Sequence, residues 1–336
     1  MKPRVRLGRG VTLDLASGDR VVFDGTASGD VRVLSHAHAD HQVSRNAGPV
    51  VCSPLTAALV ETRQNTTIEV ADPPPNVDLL NAGHVAGSRA ALVTDPDTGR
   101  RYLYTGDVCP RERFYLEGFD PPDADVDVLI LETTYGTPDY RLPPTGEVLD
   151  EIHDWLADTR GRIAVMYGYS LGRAQKLQRI AADADRGRVF VTDTVADVNA
   201  VIEAHLDVTF DVERFGDGTG ATDESDPQPG DVLVAPAGAA RGSAVGGLLD
   251  REHVVTAGFS GWAIDRSFRF RRGYDAGFPL SDHADFDELV EIVRSVDPER
   301  VYTHHGFAEE FARHLTTGHG YETRALKRNQ ATLADF

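Results

Sequence analysis

Four residues of metal-ligand type stand within six consecutive positions near the start of the chain. They are His36, His38, Asp40 and His41, and no cysteine lies among them. In an extended segment residues two apart point to the same side, so His36 and His38 can bind one cation. Asp40 and His41, in the turn that follows, can bind a second. Imidazoles and carboxylates without thiolates suit Zn²⁺ or a harder ion such as Mn²⁺, so this segment predicts two divalent cations.

Two further residues of ligand type follow strands and stand beside glycines. His84 lies in NAGHVAGS and Asp107 lies in YTGDV. A backbone turn after a strand can present either side chain to a metal ion. Each residue taken alone favours a capping or surface role instead.

The elements that must position these residues change character along the chain. Up to about residue 144, short β-like runs alternate with turns; VRVLS ends at the histidine cluster, and VDVLIL reads as a strand buried on both faces. Between about 145 and 260, strands such as RIAVMYG alternate with helical segments such as GRAQKLQRIAADAD. This alternation indicates a parallel α/β layer. The stretch FGDGTGATDESDPQPGD predicts a solvated loop.

The composition excludes some classes of protein. The chain has 53 acidic and 34 basic residues and a net charge of −19, which excludes a protein that wraps nucleic acid by bulk positive charge. A very acidic surface poor in lysine indicates a halophilic protein, with an ordinary acidic protein from a GC-rich genome as the alternative. No apolar run approaches the roughly 20 residues of a membrane span, and the N-terminus lacks the apolar segment of a secretion signal. We therefore expect a cytoplasmic protein.

The ligand motifs resemble the metallo-β-lactamase superfamily, whose HxHxDH signature residues 36–41 meet in full. The resemblance implies an α/β fold, an αββα sandwich with the metal ions at one edge. It also implies that His84 is the third histidine of one metal site and that Asp107 bridges the two ions. Asp24, in VVFDG, resembles the acidic residue that orients the motif loop.

Three later motifs resemble the β-CASP branch of that superfamily, which comprises nucleases of RNA 3′-end processing, RNA decay and DNA repair. They are LETTYG, LSDHADF and THHG, and they contain Glu132, His283 and His305. The resemblance implies that His305 binds the second metal ion, and that Asp40 serves catalysis as well as metal binding. It further implies that Glu132 pairs with His283 near the scissile phosphate. A carboxylate fixes the tautomer of an imidazole and raises its pKa, which makes the imidazole a proton donor to a leaving oxygen.

In the β-CASP branch an inserted α/β cassette interrupts the lactamase domain. The resemblance implies a first part of the lactamase domain over 1–144, a cassette over 145–262 and a last part over 263–336. The branch often has Glu after the glycine of the THHG motif, where this chain has Phe307. We therefore expect no carboxylate contact to a metal ligand from that position.

Softer motifs resemble one subgroup, the bacterial DNA ligase-associated exonucleases and their archaeal relatives. They are YSLGRAQKLQ, LVAPAGAARGS and SGWAIDRSFRFRRGYDAGFPLSDHAD. The resemblance implies an exonuclease of DNA repair with a single-stranded substrate and a functional association with a DNA ligase. Three alternatives stay open: an RNA 3′-end processing nuclease, a hydrolase of small thioesters or lactams, and a binding subunit without activity.

Two basic segments are the expected contacts with nucleic acid. Arg173 and Lys176, in a turn from a strand to a helix, are placed to meet a phosphate at the helix N-terminus, with a solvated helix face as the alternative. Arg269, Arg271 and Arg272 alternate with aromatic residues in RSFRFRRGY, as in a strand with one cationic face. Ion pairs with the acidic surface are the alternative for this segment.

Overall fold

The structure is a computed structural model that describes residues 3–41, 48–216, 226–239 and 244–327. The chain divides into two compact units. The first unit comprises the residues up to Glu112, Leu116–Arg141, and those from His283 onwards. The second unit comprises Arg113–Tyr115 and Leu142–Asp282, so it is inserted into the sequence of the first.

The described residues form sixteen strands and eight α-helices. The strands are β1 Arg4–Gly8, β2 Gly10–Asp14, β3 Arg20–Phe23, β4 Val31–Val33, β5 Val77–Asn81, β6 Arg89–Thr94, β7 Arg101–Tyr104, β8 Val128–Glu132, β9 Ile163–Gly168, β10 Val189–Thr192, β11 Glu213–Phe215, β12 Val232–Pro236, β13 Val254–Phe259, β14 Ala276–Phe278, β15 Arg300–His304 and β16 Glu322–Ala325. The helices are α1 Pro54–Gln64, α2 Thr145–Asp158, α3 Arg173–Asp183, α4 Asp193–His205, α5 Ala244–Leu249, α6 Phe268–Arg272, α7 Phe286–Val296 and α8 Ala308–His314.

Two sheets form the body of the first unit. One has the strand order β1-β2-β3-β4, and the other has the order β16-β15-β8-β7-β6-β5. Alternate side chains of β8 point to opposite faces of its sheet. Val128 and Ile130 join the apolar core that includes the four-stranded sheet, whereas Leu129 and Leu131 pack with residues of α7 and α8. The strand VDVLIL is therefore buried on both faces, as its sequence predicts.

The strand directions bring the ligand-type residues to one edge of the six-stranded sheet. Strands β7, β8, β15 and β16 run parallel to one another, so their carboxyl ends meet at that edge. Asp107 follows β7, Glu132 ends β8, and His305 follows β15. His84 lies in the connection between β5 and β6. Residues distant in sequence thus approach one another because of the sheet topology.

The second unit contains a parallel sheet of strand order β11-β10-β12-β9-β13-β14. The predicted parallel α/β layer is confirmed. This unit ends at Asp282, whereas the resemblance placed the end of the cassette at 262. The physical reason is that β14 pairs with β13, with Ala257 opposite Ala276, and so extends the same sheet. Residues 217–225 of the predicted loop and residues 240–243 of LVAPAGAARGS lie outside the described residues.

Among the residues that the structure describes, no helix has both the length and the apolar character needed to cross a membrane.

Candidate metal centre

Three histidines and an aspartate converge at the edge of the sheet in a first ligand group. The ring nitrogens of His36, His38 and His84 and a carboxylate oxygen of Asp107 all lie within 4.8 Å of one another. His38 Nδ1 is 3.1 Å from His36 Nε2 and 3.2 Å from His84 Nε2. Ligand atoms around a tetrahedral zinc ion, at Zn–N distances near 2.0–2.1 Å, are separated by roughly 3.3 Å. The spacing of these nitrogens therefore fits a bound metal ion.

A second ligand group shares Asp107 with the first. His41, Asp107 and His305 place one ligand atom each within the same 4.8 Å limit. His41 Nε2 lies 3.4 Å from Asp107 Oδ1, and among the described residues this buried nitrogen has no hydrogen-bond partner. An orphaned buried ring nitrogen that faces a carboxylate is suited to a cation between the two. The donor set of this group also fits a divalent metal ion.

Asp40 stands apart from both groups. The peptide N–H of His41 donates to the carbonyl of His38, 3.2 Å away, so the chain turns back at this point. The turn directs the His41 ring into the buried group and leaves Asp40 exposed. Asp40 is not among the described residues whose ligand atoms converge, and its role as a ligand stays a prediction.

A buried carboxylate holds the motif loop in place. Asp24 accepts hydrogen bonds from the Ser35 peptide N–H at 2.7 Å and from the Ser35 hydroxyl at 2.6 Å. It also contacts His41 Nδ1 at 2.9 Å and accepts from the Tyr104 hydroxyl at 2.8 Å. These contacts are those of a residue that orients the loop. The sequence interpretation did not identify Tyr104; its place three residues before Asp107, in YTGD, is the signal for it.

Burial and charge set the protonation of these groups. Burial, reinforced by the neighbouring charge of His41, holds the pKa of His36 well below its usual value. Burial alone would raise the pKa of Asp107, but the nearby charge of His41 holds that pKa well below its usual value. Burial opposes protonation of His41, yet Asp107 and Asp24 raise its pKa well above the usual value. Neutral His36 and ionised Asp107 are the forms that bind a metal ion, and binding at His41 would release a proton.

Glu132 and His283 form the predicted carboxylate–imidazole pair. His283 Nδ1 lies 2.9 Å from Glu132 Oε1. The Glu132 carboxylate also accepts from the peptide N–H groups of Thr134 at 2.7 Å and Val108 at 3.3 Å, which fix its position. The His283 ring lies 4.5 Å from the ring of His84, between centroids. The arrangement leaves His283 Nε2 as the ring atom that can exchange a proton at the metal centre.

Helix α7 fixes the segment that carries His283. Asp285 caps this helix by accepting from the Glu288 peptide N–H at 2.9 Å, and Glu288 Oε2 accepts from the Asp285 peptide N–H at 2.9 Å. This reciprocal capping box begins the helix two residues after His283. The Arg111 guanidinium also donates to the His283 carbonyl at 2.7 Å.

His304, next to His305 of the second ligand group, is a core residue. Its ring is stacked 5.5 Å from the Tyr104 ring, and among the described residues neither ring nitrogen has a hydrogen-bond partner. Burial, followed by the charge of His305, lowers its pKa to about 3, so the ring is neutral. His304 is absent from both ligand groups.

Arg173 and Lys176 lie in the interior of the second unit, and this placement corrects their prediction as phosphate contacts. Arg173 Nη2 is 2.7 Å from Asp282 Oδ2, and Lys176 Nζ forms an ion pair with Asp282 Oδ1. The exposed fractions of the three side chains are 3%, 0% and 1%. The turn from strand to helix is present, but the two cations neutralise a buried carboxylate and do not face solvent.

Replacing Asp282 with Asn should lower the free energy of unfolding by about 3–5 kcal/mol, because Arg173 and Lys176 would lose a buried counterion. Urea denaturation followed by circular dichroism measures this change. The matched control is Asp287→Asn, whose carboxylate is 63% exposed and pairs with Arg141; there the loss should be at most about 1 kcal/mol. Equal losses in the two variants would contradict the assignment.

The segment with Arg269, Arg271 and Arg272 is the short helix α6, and its prediction as a strand is wrong. Asp265 accepts from the peptide N–H and hydroxyl of Ser267 at 2.9 Å, which starts the turn. Gly273, with φ of 71°, ends the helix. A five-residue pattern of arginine and phenylalanine does not distinguish a strand from one turn of helix. The flanking residues Asp265 and Gly273 determine that the segment is helical. The three arginines are exposed.

The chain is similar to a family model and to several named proteins. Residues 277–326 match the family model described as "RMMBL: Zn-dependent metallo-hydrolase RNA specificity domain". A protein named probable DNA ligase, from Opitutus terrae, is 34% identical over 298 residues. The match covers 84% of this chain and 27% of that protein, so the chain spans about a quarter of this relative.

Two further similarities cover nearly the whole chain. The protein named probable RNase MJ4, from Methanocaldococcus jannaschii, is 23% identical over 91% of this chain and 88% of its own length. A crystal structure of a protein of unknown function from Enterococcus faecalis V583 superposes with a TM-score of 0.64 and 13% identity, covering 97% of both chains. The structural similarity concerns the fold alone. The predicted fold, an αββα sandwich with an inserted α/β cassette, is confirmed. The matched family model and these relatives together indicate the β-CASP branch of the metallo-β-lactamase superfamily.

Proposed function

We propose that this protein is a metal-dependent nuclease that hydrolyses phosphodiester bonds, and that it acts as an exonuclease on single-stranded DNA. The observation that carries the proposal is the 2.9 Å contact between Glu132 and His283, beside the first ligand group. Thioester or lactam hydrolysis would not require that pair. A carboxylate-oriented imidazole at a divalent metal centre is suited to protonating the leaving oxygen of a phosphodiester.

Each side chain has a proposed role. His36, His38 and His84 would hold one ion, Asp40, His41 and His305 would hold the other, and Asp107 would contribute to both. Three imidazoles favour Zn²⁺, with Mn²⁺ as the alternative. The bound ions supply activation of a water nucleophile and neutralisation of phosphate charge.

The proton transfer follows from the protein groups. A water molecule gives up one proton to the solvent, and its oxygen bonds to phosphorus while the bond from phosphorus to the leaving oxygen breaks. His283 Nε2 donates a proton to that leaving oxygen as the charge develops. Glu132 keeps the Nδ1 proton of His283 in place during the transfer, which stabilises the imidazolium before donation.

The second candidate function is RNA processing. The similarity to the protein named probable RNase spans 88% of that protein, and the matched family model carries RNA specificity in its description. DNA is proposed first because the relative named probable DNA ligase has the higher identity, 34% against 23%. That relative also supports a functional association with a DNA ligase.

The test uses end-labelled single-stranded DNA and RNA of the same sequence, incubated with the protein in molar salt with Zn²⁺ or Mn²⁺. We expect DNA to be shortened in steps from one end. The Asp107→Asn protein, purified identically, controls for contaminating nucleases. Shortening of RNA alone would favour the second candidate. Hydrolysis of neither polymer by metal-loaded protein would overturn the proposed function.

We also propose that the exposed arginines of α6 contact the substrate. Arg269 lies over the ring of Phe270, 4.6 Å from its centroid, and Phe270 is 71% exposed. Arg271 is paired with Asp265 at 2.9 Å, so a phosphate would have to replace a carboxylate there. Arginine is suited to this exchange because its planar fork binds phosphate oxygens in pairs.

Changing Arg269, Arg271 and Arg272 together to Gln should weaken binding of single strands and lower the salt dependence of that binding. Losing three phosphate contacts should reduce the slope of log K against log[salt] by roughly 2. Metal content and cleavage of bis-p-nitrophenyl phosphate should stay unchanged. An unaltered slope would mean that the strand runs elsewhere, and equal losses on both substrates would mean that α6 supports the fold.

A further inference from the structure

A row of aromatic rings extends from His283 in the first unit. The Tyr135 ring meets the His283 ring edge to face at 6.0 Å. Tyr140 lies 5.4 Å from Tyr135, and Phe307 is stacked on Tyr140 with centroids 5.3 Å apart and planes at 29°. Tyr135 is buried, whereas Tyr140 and Phe307 are both half-buried. The outer end of the row therefore reaches the surface.

Phe307 is held next to a metal ligand by a tight turn. His305 and Gly306 both have positive φ, 60° and 51°, so the chain reverses directly after β15. A Cβ on Gly306 would stand 2.4 Å from the Thr133 carbonyl oxygen, so only glycine fits there. The Phe307 peptide N–H donates to that carbonyl at 2.9 Å. The ring of Phe307 is thus fixed two residues from His305.

Tyr140 is fixed from the other side. It ends a short 3₁₀ helix, Pro138–Tyr140, and its peptide N–H donates to the Thr137 carbonyl at 3.0 Å. The next residue, Arg141, pairs with Asp287 at 2.9 Å and lies over the Phe286 ring at 4.9 Å. Both contacts bind the segment to α7. The two rings are therefore preorganised, which reduces the entropy lost on binding a ligand.

The chemistry of this pair suits a nucleobase. Phe307 directly follows the turn formed by His305 and Gly306. Because its ring carries no charge, it does not repel a phosphate group at the metal centre. Aromatic rings stack on bases regardless of sequence, with an effect of roughly 5- to 150-fold on binding. A chain of net charge −19 repels a polyanion at long range, so a short-range contact of this kind is effective.

We infer that Phe307 and Tyr140 form a stacking subsite for the base next to the scissile phosphate. The subsite rests on the proposed nuclease function and deepens it. Bases in a duplex are paired and stacked on each other, so their faces are not available to a protein ring. The base that enters the subsite is unpaired, and the substrate is single-stranded at the position of cleavage.

The test compares Phe307→Leu, which keeps the apolar volume and removes the aromatic face, with Phe307→Trp, which keeps the face. KM for a single-stranded oligonucleotide should rise about 5- to 150-fold in the leucine variant and stay near the wild-type value in the tryptophan variant. A single strand with an abasic position next to the scissile phosphate, which offers no base to stack there, should be cleaved equally by all three proteins. Equal losses on both substrates, or an unchanged KM in the leucine variant, would overturn the subsite.

Substrates with one abasic position next to the scissile phosphate complete the test. Removing the base should raise KM of the wild-type protein by the same factor as the Phe307→Leu change raises KM on the intact strand. Removing the base should not raise KM of the leucine variant any further. Independent, additive losses would overturn the inference. Quenching of 2-aminopurine placed at that position reports stacking without cleavage. Quenching by a protein that cleaves neither polymer would reject the proposed function and keep the stacking site.

Discussion

Replacing Asp107 with Asn should abolish metal binding and reduce cleavage of nucleic acid by roughly 10³-fold or more. Among the described residues, Asp107 belongs to the first ligand group, to the second, and to a third group in which it converges with Glu132 and His283. The substitution keeps the shape of the side chain and removes the negative charge that offsets the cations. Charge stabilisation by bound metal ions is worth several kcal/mol in the transition state, which corresponds to that factor. Elemental analysis of dialysed protein measures the metal, and end-labelled oligonucleotides measure the rate.

Two matched variants make the metal measurement specific. Asp78→Asn changes an exposed carboxylate on β5, so it should leave two ions per chain and full activity. Asp40→Asn should leave one ion, since the motif predicts that Asp40 serves the second site alone. Two ions retained by the Asp40 variant would remove that residue from the site. Two ions retained by the Asp107 variant would refute a bridging carboxylate.

Replacing His283 with Ala should leave both ions bound and lower the cleavage rate by roughly 10² to 10⁴, the usual loss for a missing general acid. The reason is geometric. His283 Nδ1 contacts Glu132, and His283 lies outside the first and second ligand groups; it converges only with Asp107 and Glu132 in the third group. Its role is proton donation, so rate and metal content should separate.

The leaving group distinguishes proton donation from other roles of His283. p-Nitrophenolate leaves without protonation, so the His283→Ala protein should hydrolyse bis-p-nitrophenyl phosphate at nearly the wild-type rate. His319→Ala, a change at a half-exposed histidine of the same unit, controls for the loss of an imidazole. A His283 variant that loses metal as readily as the Asp107 variant, or that loses both substrates equally, would assign His283 to metal binding or to the fold.

The ligand cluster could be predicted from sequence because its chemistry is local. His36, His38 and His41 lie within six consecutive residues, and this short spacing brings their rings close together. Asp107, Glu132 and His305 are far apart in sequence, but each lies at the carboxyl end of a parallel strand. The sheet topology brings these strand ends to one edge, and the resemblance to the family predicts that topology.

Contacts that depend on burial could not be predicted in this way. Arg173 and Lys176 have the same sequence pattern whether they face solvent or a buried carboxylate. Their counterion, Asp282, stands 106 residues after Lys176 in the chain, so no local pattern connects them. Tyr104 is similar, because its hydroxyl reaches Asp24 across 80 residues of sequence. The end of the second unit was also missed, because β14 joins its sheet through only three residues.

The insertion of the second unit has a consequence for how the protein is made. Thr133, at the end of β8, donates to the His305 carbonyl, 172 residues later. At 5–20 residues per second, a ribosome needs roughly 10–35 s to synthesise that distance. During this time β8 lacks the neighbour that β15 provides, and an unpaired apolar edge strand promotes aggregation. Early folding of the second unit would shorten the loop that β15 must close and so speed the closing of the sheet. The nascent chain in which β8 has been synthesised and β15 has not is thus the form of this protein with the greatest need for a chaperone.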